Sequence, residues 1–434
     1  MFNYDALNSL KTKAILIAVD DGTNSDFSYM LSEMKNLITA CDMEIVTEIV
    51  QYLPSPNPSS YIGKGKLSEV ANIADYLGVS YCVFADNLSP TQLKNITNIV
   101  SIGVFDRTGL ILEIFAKRAK TREAKLQVEA ANLQYMLPRL IGMRESLGRQ
   151  AGASGALSNK GQGEKQLELD RRHIEKRISE LNRELNNIEH DRTIQRAKRN
   201  KKDIPSVALV GYTNAGKSTL MNYFLEDNNF PEEKKVFEKD MLFATLDTTV
   251  RRIHFKDNKD FLLSDTVGFV SNLPHSLIKA FRTTLAEIEF ADLILIVLDA
   301  SDEQIKKQLE VTETTLEELD LKDIPKIYVL NKIDKLENYN NEMYFIDKSD
   351  EKTVLISAKN GYGISDMLNM IKETLYGNNI TAEFNIPYSR GYLNDLIYTE
   401  ATVIETKYTN DGTYFKANLS PSLIGIINND IKSI

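Results

Sequence analysis

The chain has 434 residues, of which 42% are hydrophobic and 26% charged, a composition typical of soluble globular proteins. Its length predicts about three domains, and its two cysteines, Cys41 and Cys82, are too few for a cysteine-bound metal or a disulfide framework. Because neither a long apolar run nor a basic-then-apolar leader is found, we expect a cytoplasmic protein without a membrane span. Peripheral membrane association is left as an alternative.

The charge is distributed unevenly along the chain. Between Lys117 and Lys202 there are 21 lysine and arginine residues against 11 aspartate and glutamate, a net charge of +10 in a chain whose total is −9. A basic segment in an acidic protein indicates a polyanionic partner for that segment. The alternative is a solvated helix face that binds nothing.

Residues 1–116 are predicted to form an N-terminal α/β domain. Strand and helix patterns alternate, from a strand over Ala14–Asp20 and a helix over Phe27–Ala40 to a last strand over Ser101–Asp106. Such alternation predicts a parallel sheet. The turn Tyr61–Lys66 combines glycine with lysine and is a candidate phosphate contact, although an ordinary loop is the alternative.

Residues 117–203 are predicted to form a basic antiparallel helical hairpin. Apolar residues recur at coiled-coil spacing in both arms: Leu126, Ala130, Leu133, Leu137 and Leu140 in the first, and Ile174, Ile178, Leu181, Leu185 and Ile188 in the second. The glycine-rich stretch Leu147–Gly163 predicts the turn between them, with Arg149, Lys160 and Lys165 at a basic tip. Since phosphate contacts require lysine or arginine, the segment 117–202 is the predicted RNA-binding part.

Residues 204–379 contain the most specific motif. The stretch Gly211–Ser218 reads GYTNAGKS and matches the phosphate-binding pattern G-x-x-x-x-G-K-[ST], between a predicted strand and a predicted helix. Backbone N–H groups of such a loop point at phosphates; the residues concerned are Gly211, Tyr212, Thr213, Asn214, Ala215 and Gly216. We expect Lys217 to reach the β- and γ-phosphates and Ser218 to bind Mg²⁺.

Two further segments are predicted to respond to the γ-phosphate. The first segment consists of Phe243, Ala244, Thr245, Leu246 and Asp247. In it, the hydroxyl of Thr245 is the predicted second protein ligand of Mg²⁺, with Thr248 as the alternative. In the second, Asp265, Thr266, Val267 and Gly268, the carboxylate holds Mg²⁺ through water and the glycine N–H senses the phosphate. Strands are predicted over Phe261–Asp265 and, further along the chain, over Leu293–Asp299.

The base-recognition motifs come next along the chain. The segment Asn331, Lys332, Ile333 and Asp334 follows a predicted strand, and the Asp334 carboxylate can accept two hydrogen bonds from guanine. Adenine lacks that donor pattern, and sites of this kind discriminate by about 10⁴. Ser357, Ala358 and Lys359 are expected to lie behind the base. The five motifs in this order predict a protein that binds GTP or GDP and hydrolyses GTP.

Three side chains bear on the rate of hydrolysis. Phe269 stands where many GTPases carry a water-orienting glutamine, so we expect slow turnover by the isolated protein. Asn214 is a candidate ligand for K⁺ near the phosphates, the alternative being an amide that braces the loop. His275 is a weaker catalytic candidate and is better explained as a residue at a helix start. The predicted catalytic set is Lys217, Thr245, Gly268 and Asn214.

The remaining residues, 380–434, predict a small C-terminal domain with one helix and a two-stranded hairpin that turns at Asn410–Gly412. The expected fold is therefore α/β. A P-loop GTPase domain follows a small α/β domain and an antiparallel helical hairpin, and a short α+β domain ends the chain.

Several stretches together resemble the HflX family of ribosome-associated GTPases. They are Phe105–Leu140, Gly163–Arg172, Gly211–Asn222, Leu242–Arg252 and Asp265–Phe281, and the resemblance covers essentially the whole chain. It implies binding to the large (50S) ribosomal subunit in the GTP state, hydrolysis stimulated by the ribosome, and splitting of 70S ribosomes stalled under stress. It also assigns nucleotide contacts to the five motifs above and Mg²⁺ to Ser218 and Thr245.

The chain departs from the family pattern in two places. The hairpin loop of the family usually reads GGxGTRGPGETQLExDRR, whereas this chain has GASGALSNKGQGEKQLELDRR, so the altered loop (148–163) puts ribosome affinity or splitting in question. Thr248 stands where a proline is common. The functional alternatives are a large-subunit assembly factor and a GTP-regulated protein adaptor, and a monomer is favoured.

Overall fold

The computed structural model describes residues 11–23, 26–150, 160–200, 204–227, 249–254, 259–270, 288–336, 352–377 and 379–432. They fall into two compact units, which are described separately. One holds the N-terminal sheet and most of the helical hairpin, and the other holds the nucleotide-binding sheet and the C-terminal sheet. No helix in these ranges is both long enough and apolar enough to cross a membrane.

The first unit contains β1 (Thr12–Asp20), α1 (Phe27–Ala40), β2 (Met43–Tyr52), α2 (Lys64–Leu77), β3 (Tyr81–Phe84), α3 (Pro90–Thr97), β4 (Gly103–Phe105), α4 (Arg107–Arg118), α5 (Arg122–Gln150) and most of α6 (Lys160–Asn200). Its four strands are all parallel, in the order β2-β1-β3-β4. The central strand β1 is buried from Ala14 to Val19, as expected of a parallel strand covered on both faces. The predicted parallel α/β fold is confirmed.

Two local predictions in this unit need correction. Helix α2 begins at Lys64, so the second half of the Tyr61–Lys66 turn is helical. Helix α4 was not predicted as a separate element. Eight of its residues between Arg107 and Phe115 are buried. Leu110, Ile111, Ile114 and Phe115 recur at helical spacing, so the sequence carries a signal for this helix that the prediction did not use.

The predicted antiparallel hairpin is formed by α5 and α6. Arg122 pairs with Glu184 at 2.8 Å and Glu129 pairs with Arg177 at 2.7 Å. Residue numbers therefore increase along α5 as they decrease along the facing positions of α6, which is the antiparallel arrangement. The apolar cluster between the arms joins the start of the first predicted seam to the end of the second; its members are Leu126, Ala130, Leu133, Leu181, Leu185 and Ile188.

The predicted turn of the hairpin was too long. Helix α5 continues to Gln150 and α6 begins at Lys160, so both ends of the Leu147–Gly163 stretch are helical. Each glycine in a helix costs only about 1 kcal/mol relative to alanine, so a long helix can extend through it. Residues 151–159 lie outside the described part of the chain.

The second unit contains β5 (Ser206–Val210), α7 (Lys217–Asp227), β6 (Thr249–Ile253), β7 (Phe261–Asp265), β8 (Leu293–Asp299), α8 (Ile305–Glu318), β9 (Lys326–Asn331), β10 (Lys352–Leu355) and α9 (Ile364–Tyr376). The strand order is β10-β9-β8-β5-β7-β6, with only β6 antiparallel to its neighbour. The phosphate loop therefore leaves the sheet from the carboxyl end of a central strand, where ligands of such sheets bind.

The C-terminal part of the second unit has more structure than the sequence predicted. It consists of β11 (Ile380–Pro387), α10 (Tyr392–Glu400), β12 (Thr402–Tyr408), β13 (Gly412–Leu419) and α11 (Pro421–Lys432). The hairpin between β12 and β13 turns at the predicted position, but β11 adds a third antiparallel strand. The helices supply Leu393, Ile397, Leu423 and Ile427 to a core on one face of the sheet.

Candidate functional site

The phosphate loop owes its shape to two glycines. Gly211 has a φ of +149°, and a Cβ there would lie 2.1 Å from the carbonyl oxygen of Val297. Gly216 has a φ of +96°, and its Cβ would lie 2.2 Å from the side-chain nitrogen of Asn331. Neither position has room for another side chain. The loop is therefore pressed against the ends of β8 and β9, and α7 starts directly after it.

Lys217 is the first residue of α7 and is buried. Its ammonium group donates hydrogen bonds to the carbonyl oxygens of Gly211 at 2.9 Å and Tyr212 at 2.8 Å. Burial, together with the positive charge of Lys332, lowers the pKa of Lys217 to about 8, although the carboxylate of Asp265 acts in the opposite direction. The ammonium group is thus held against the first two residues of the loop and remains mostly protonated at neutral pH.

Ser218 and Asp265 bring two oxygen atoms together beside Lys217. The Ser218 hydroxyl donates to the Asp265 carboxylate at 2.9 Å, and Asp265 itself is fully buried at the end of β7. A hydroxyl and a carboxylate are hard oxygen donors of the kind that Mg²⁺ prefers. The donor set in the structure therefore fits the predicted magnesium ion.

The segment after Asp265 runs alongside the phosphate loop. Thr266 donates its hydroxyl to the carbonyl of Leu209 at 2.6 Å. The main chain of Phe269 accepts a hydrogen bond from the Thr213 N–H at 2.8 Å and donates one to the Gly211 carbonyl at 3.1 Å. A Cβ on Gly268 would lie 2.9 Å from the Lys217 nitrogen. The predicted γ-phosphate sensor is thus adjacent to the predicted phosphate-binding lysine.

The two base-side motifs are linked to the phosphate loop through one side chain. The amide nitrogen of Asn331 donates to the Ala215 carbonyl, and its amide oxygen accepts from the Ala358 N–H, both at 2.9 Å. Asn331 is buried at the end of β9. It therefore fixes the distance between the loop expected to bind phosphates and the loops expected to bind the base.

The remaining base-side residues have their own partners. The Asp334 carboxylate accepts a hydrogen bond from the Ser357 hydroxyl at 2.6 Å, and Asp334 remains exposed to solvent. Lys332 adopts a φ of +66° and forms an ion pair with Asp299 at 2.8 Å. Asp299 was predicted only as the end of a strand. Asp299 ends β8 at the carboxyl edge of the sheet, where ligands of such sheets bind, and this position could have marked it as a site residue.

Some predicted residues are not brought into this network. Asn214 and Lys359 are exposed, and Asn214 has a φ of +62°. The segment Phe243–Asp247, with its predicted magnesium ligand Thr245, lies outside the described residues, as do Thr248 and His275.

This phosphate loop, followed by base-side loops at the carboxyl ends of a mainly parallel sheet, defines a P-loop GTPase. Family models match three consecutive parts of the chain. Their descriptions are GTP-binding GTPase N-terminal for residues 28–116, GTP-binding GTPase Middle Region for 118–199 and 50S ribosome-binding GTPase for 206–332. The chain belongs to the HflX family of GTPases.

Two relatives with the same family name agree with this assignment. The chain is 39% identical to GTPase HflX of Escherichia coli over 88% of each chain. It is 38% identical to GTPase HflX of Lacrimispora saccharolytica over 96% of each chain. Among solved structures, a GTP-binding protein from the archaeon Sulfolobus solfataricus in complex with GDP matches at 24% identity and a TM-score of 0.43. That match covers 84% of this chain and 98% of the other.

The ion pair between Asp299 and Lys332 yields a prediction about nucleotide release. Asp299→Asn keeps the shape of the side chain but removes the charge that holds Lys332 beside the phosphate loop. We expect GDP to dissociate about tenfold faster, a change of about 1.4 kcal/mol. Stopped-flow release of a fluorescent GDP analogue measures the rate. Glu317→Gln, which removes an exposed ion pair with Lys322, is the control and should not change it. An unchanged rate in Asp299→Asn would contradict the assigned role.

The lowered pKa of Lys217 yields a prediction about protons. Nucleotide phosphates favour the charged ammonium and so raise this pKa on binding. At pH 8 the free site is about half protonated, so binding of GDP should take up about half a proton. GDP affinity should be constant below this pH and fall as the pH rises above it. Calorimetric titrations at pH 8 in buffers of different ionisation enthalpy measure the uptake, and the same titrations at pH 7 should show almost none. Equal heats in all buffers at pH 8 would rule the coupling out.

Proposed function

We propose that the chain binds GTP with the loops described above and hydrolyses it while associating with the large ribosomal subunit. The observation that carries the proposal is the hydrogen-bonded network from the phosphate loop through Asn331 to Ala358, with Gly268 beside Lys217 and Asp265 bonded to Ser218. Backbone N–H groups of Gly211–Ser218 would surround the phosphates. The Asp334 carboxylate, supported by Ser357, would select guanine.

The residues beside Lys217 would prepare the γ-phosphate for transfer. Ser218 would bind Mg²⁺ directly, Asp265 would hold it through water, and Thr245 would complete the set. The bound ion would neutralise charge on the β- and γ-phosphates. Lys217 would add a second positive charge, and the Gly268 N–H would donate to the γ-phosphate. Loss of that phosphate would release Gly268 and Thr245 together.

Hydrolysis by the chain alone should be slow. The side chain at position 269 is phenylalanine, which can neither donate nor accept a hydrogen bond, and its ring is buried. The hydrogen bonds between residue 269 and the phosphate loop are made by its main-chain groups. Since this chemistry depends on positioning of the attacking water, the missing group has to be supplied from elsewhere. We infer that a bound ribosome supplies or orders it.

Three observations support the ribosome as the partner. Residues 206–332 match the family described as 50S ribosome-binding GTPase. The segment from Lys117 to Lys202 is strongly basic within an acidic chain. It forms two long helical arms, and arms of this kind can carry a basic tip into an RNA-rich surface. We further propose that the GTP-bound protein separates the subunits of stalled or idle 70S ribosomes under stress, as a monomer in the cytoplasm.

The first experiment measures GTP hydrolysis by the protein alone, with 50S subunits and with 70S ribosomes. In parallel, 70S ribosomes are sedimented with the protein and a non-hydrolysable GTP analogue. We expect stimulation by both particles and conversion of 70S ribosomes into 30S and 50S subunits. A variant with Lys217→Ala serves as the control for contaminating GTPases.

The outcomes separate the candidate functions. Stimulation by 50S without dissociation of 70S would favour a large-subunit assembly or storage role. Stimulation by neither particle would favour a protein adaptor. In that case the residues that replace the usual hairpin loop, Ala156–Lys160, would be the first to restore to the family pattern.

We also propose that Asn214 holds K⁺ beside the phosphates, where an arginine would otherwise supply positive charge. Asn214→Gly removes the amide while suiting the left-handed backbone at this position. Hydrolysis by the unmodified protein should be about tenfold faster in K⁺ than in Na⁺, and the variant should lose this difference. GDP affinity of the variant checks that the loop is intact. Equal rates of the unmodified protein in both salts would end the proposal and leave Asn214 as a loop-bracing residue.

A further inference from the structure

Asp106 is a buried carboxylate that lies far along the chain from the nucleotide loops. It directly follows β4, caps the start of α4 and is only 1% exposed. Two of its hydrogen bonds stay within the N-terminal domain: it accepts from the Gly109 N–H at 2.8 Å and from the Leu88 N–H at 3.1 Å. These two bonds hold the end of the sheet to the start of α4.

Two further bonds to Asp106 come from the first arm of the hairpin. The Tyr135 hydroxyl donates to one carboxylate oxygen at 2.5 Å, and the Arg139 guanidinium donates to the other at 2.6 Å. The guanidinium also lies 3.4 Å from the centre of the Tyr135 ring. Donors from three separate elements therefore converge on one carboxylate.

The backbone around this contact is shaped for it. A Cβ on Gly109 would lie 2.9 Å from the Tyr135 hydroxyl oxygen and 3.2 Å from an Asp106 carboxylate oxygen. The glycine thus lets Tyr135 reach the carboxylate at the first turn of α4. Among the other buried residues of α5, Ala124, Val128 and Ala131 are small and apolar, whereas Glu123 and Gln127 are polar. Apolar burial is non-directional, whereas charge-assisted hydrogen bonds fix an orientation.

We propose that Asp106, Tyr135 and Arg139 form a joint that sets the direction of the helical hairpin relative to the N-terminal sheet. We propose further that the response of GTP hydrolysis to the 50S subunit depends on this joint. The second statement rests on the proposed function. All three are positioning residues, since none of them belongs to the nucleotide site.

The test uses the full-length protein with Tyr135→Phe and Arg139→Gln combined. This pair removes both bonds from α5 and leaves the two backbone bonds to Asp106 in place. Glu33→Gln is the matched control. It disrupts a buried 2.6 Å ion pair with Arg107 in the same unit, so it lowers stability there, but this pair joins α1 to α4 and does not involve α5.

The direct readout is the distance distribution between two spin labels, measured by pulsed electron paramagnetic resonance. The labels are attached at Tyr76→Cys on α2, where the native side chain is 89% exposed, and at Lys176→Cys on α6. The native thiols should stay unlabelled, because burial raises the pKa of Cys41 to about 11 and that of Cys82 to about 12. We expect a narrow distribution in the parent and in Glu33→Gln, and a broad one in the double variant.

The functional readout is the rate of GTP hydrolysis with and without 50S subunits. We expect the double variant to keep the basal rate, whereas its stimulation by 50S subunits should fall about fivefold or more. Glu33→Gln should keep both values.

A narrow distance distribution in the double variant would contradict the proposed joint. A broad distribution with a full 50S response would overturn its functional role. If the parent shows no 50S response, the proposed ribosomal function fails, and the distance measurement still decides the joint. If Tyr135→Phe alone already unfolds the first unit in a thermal scan, the contact is structural and the proposal is overturned.

Discussion

The nucleotide half of this protein depends on the close contact between the phosphate loop and the end of β9. Gly216 has no side chain, the Asn331 amide fills the space where one would be, and the same amide holds the loop around Ala358. Because both ends of the amide are engaged, the phosphate-loop motif and the loop around Ala358 cannot move independently. A site assembled from distant parts of the chain thereby acquires the fixed spacing that a nucleotide requires.

Local sequence patterns predicted the elements whose structure is decided by neighbouring residues. Strands β7 and β8 and helix α1 have the predicted bounds, since continuous apolar runs and amphipathic spacing dominate there. The phosphate loop was equally readable, because its glycines are needed for backbone conformations that other residues avoid. In both cases the information lies within a few neighbouring residues.

Elements whose sequence signal depends on distant neighbours were missed. Strand β11 forms only by pairing with β13, which follows about 30 residues later in the chain. Asp299 lies beside Lys332 because of the fold, and no local sequence motif indicates this ion pair. Each omission involves a contact between residues that are far apart in sequence.

The two units differ in the way they use buried charge. In the nucleotide-binding unit, buried Lys217 bonds to a main-chain carbonyl and buried Asp265 to the Ser218 hydroxyl, groups that a ligand can share. In the first unit, the carboxylate of Asp106 is surrounded by protein donors. A buried carboxylate with so many donors favours one geometry over its alternatives, which suits a fixed attachment better than a catalytic group.

The attachment of α5 at Tyr135 and Arg139 has a mechanical consequence. Beyond Arg139, the described part of α5 extends to Gln150, about 16 Å at the usual rise per residue. On so short a lever, a rotation of about 10° moves the helix end by only about 3 Å. Rotations of α5 about Tyr135 and Arg139 therefore move its described end by less than the length of a side chain. A short length of helix beyond a fixed attachment favours accuracy of placement over reach.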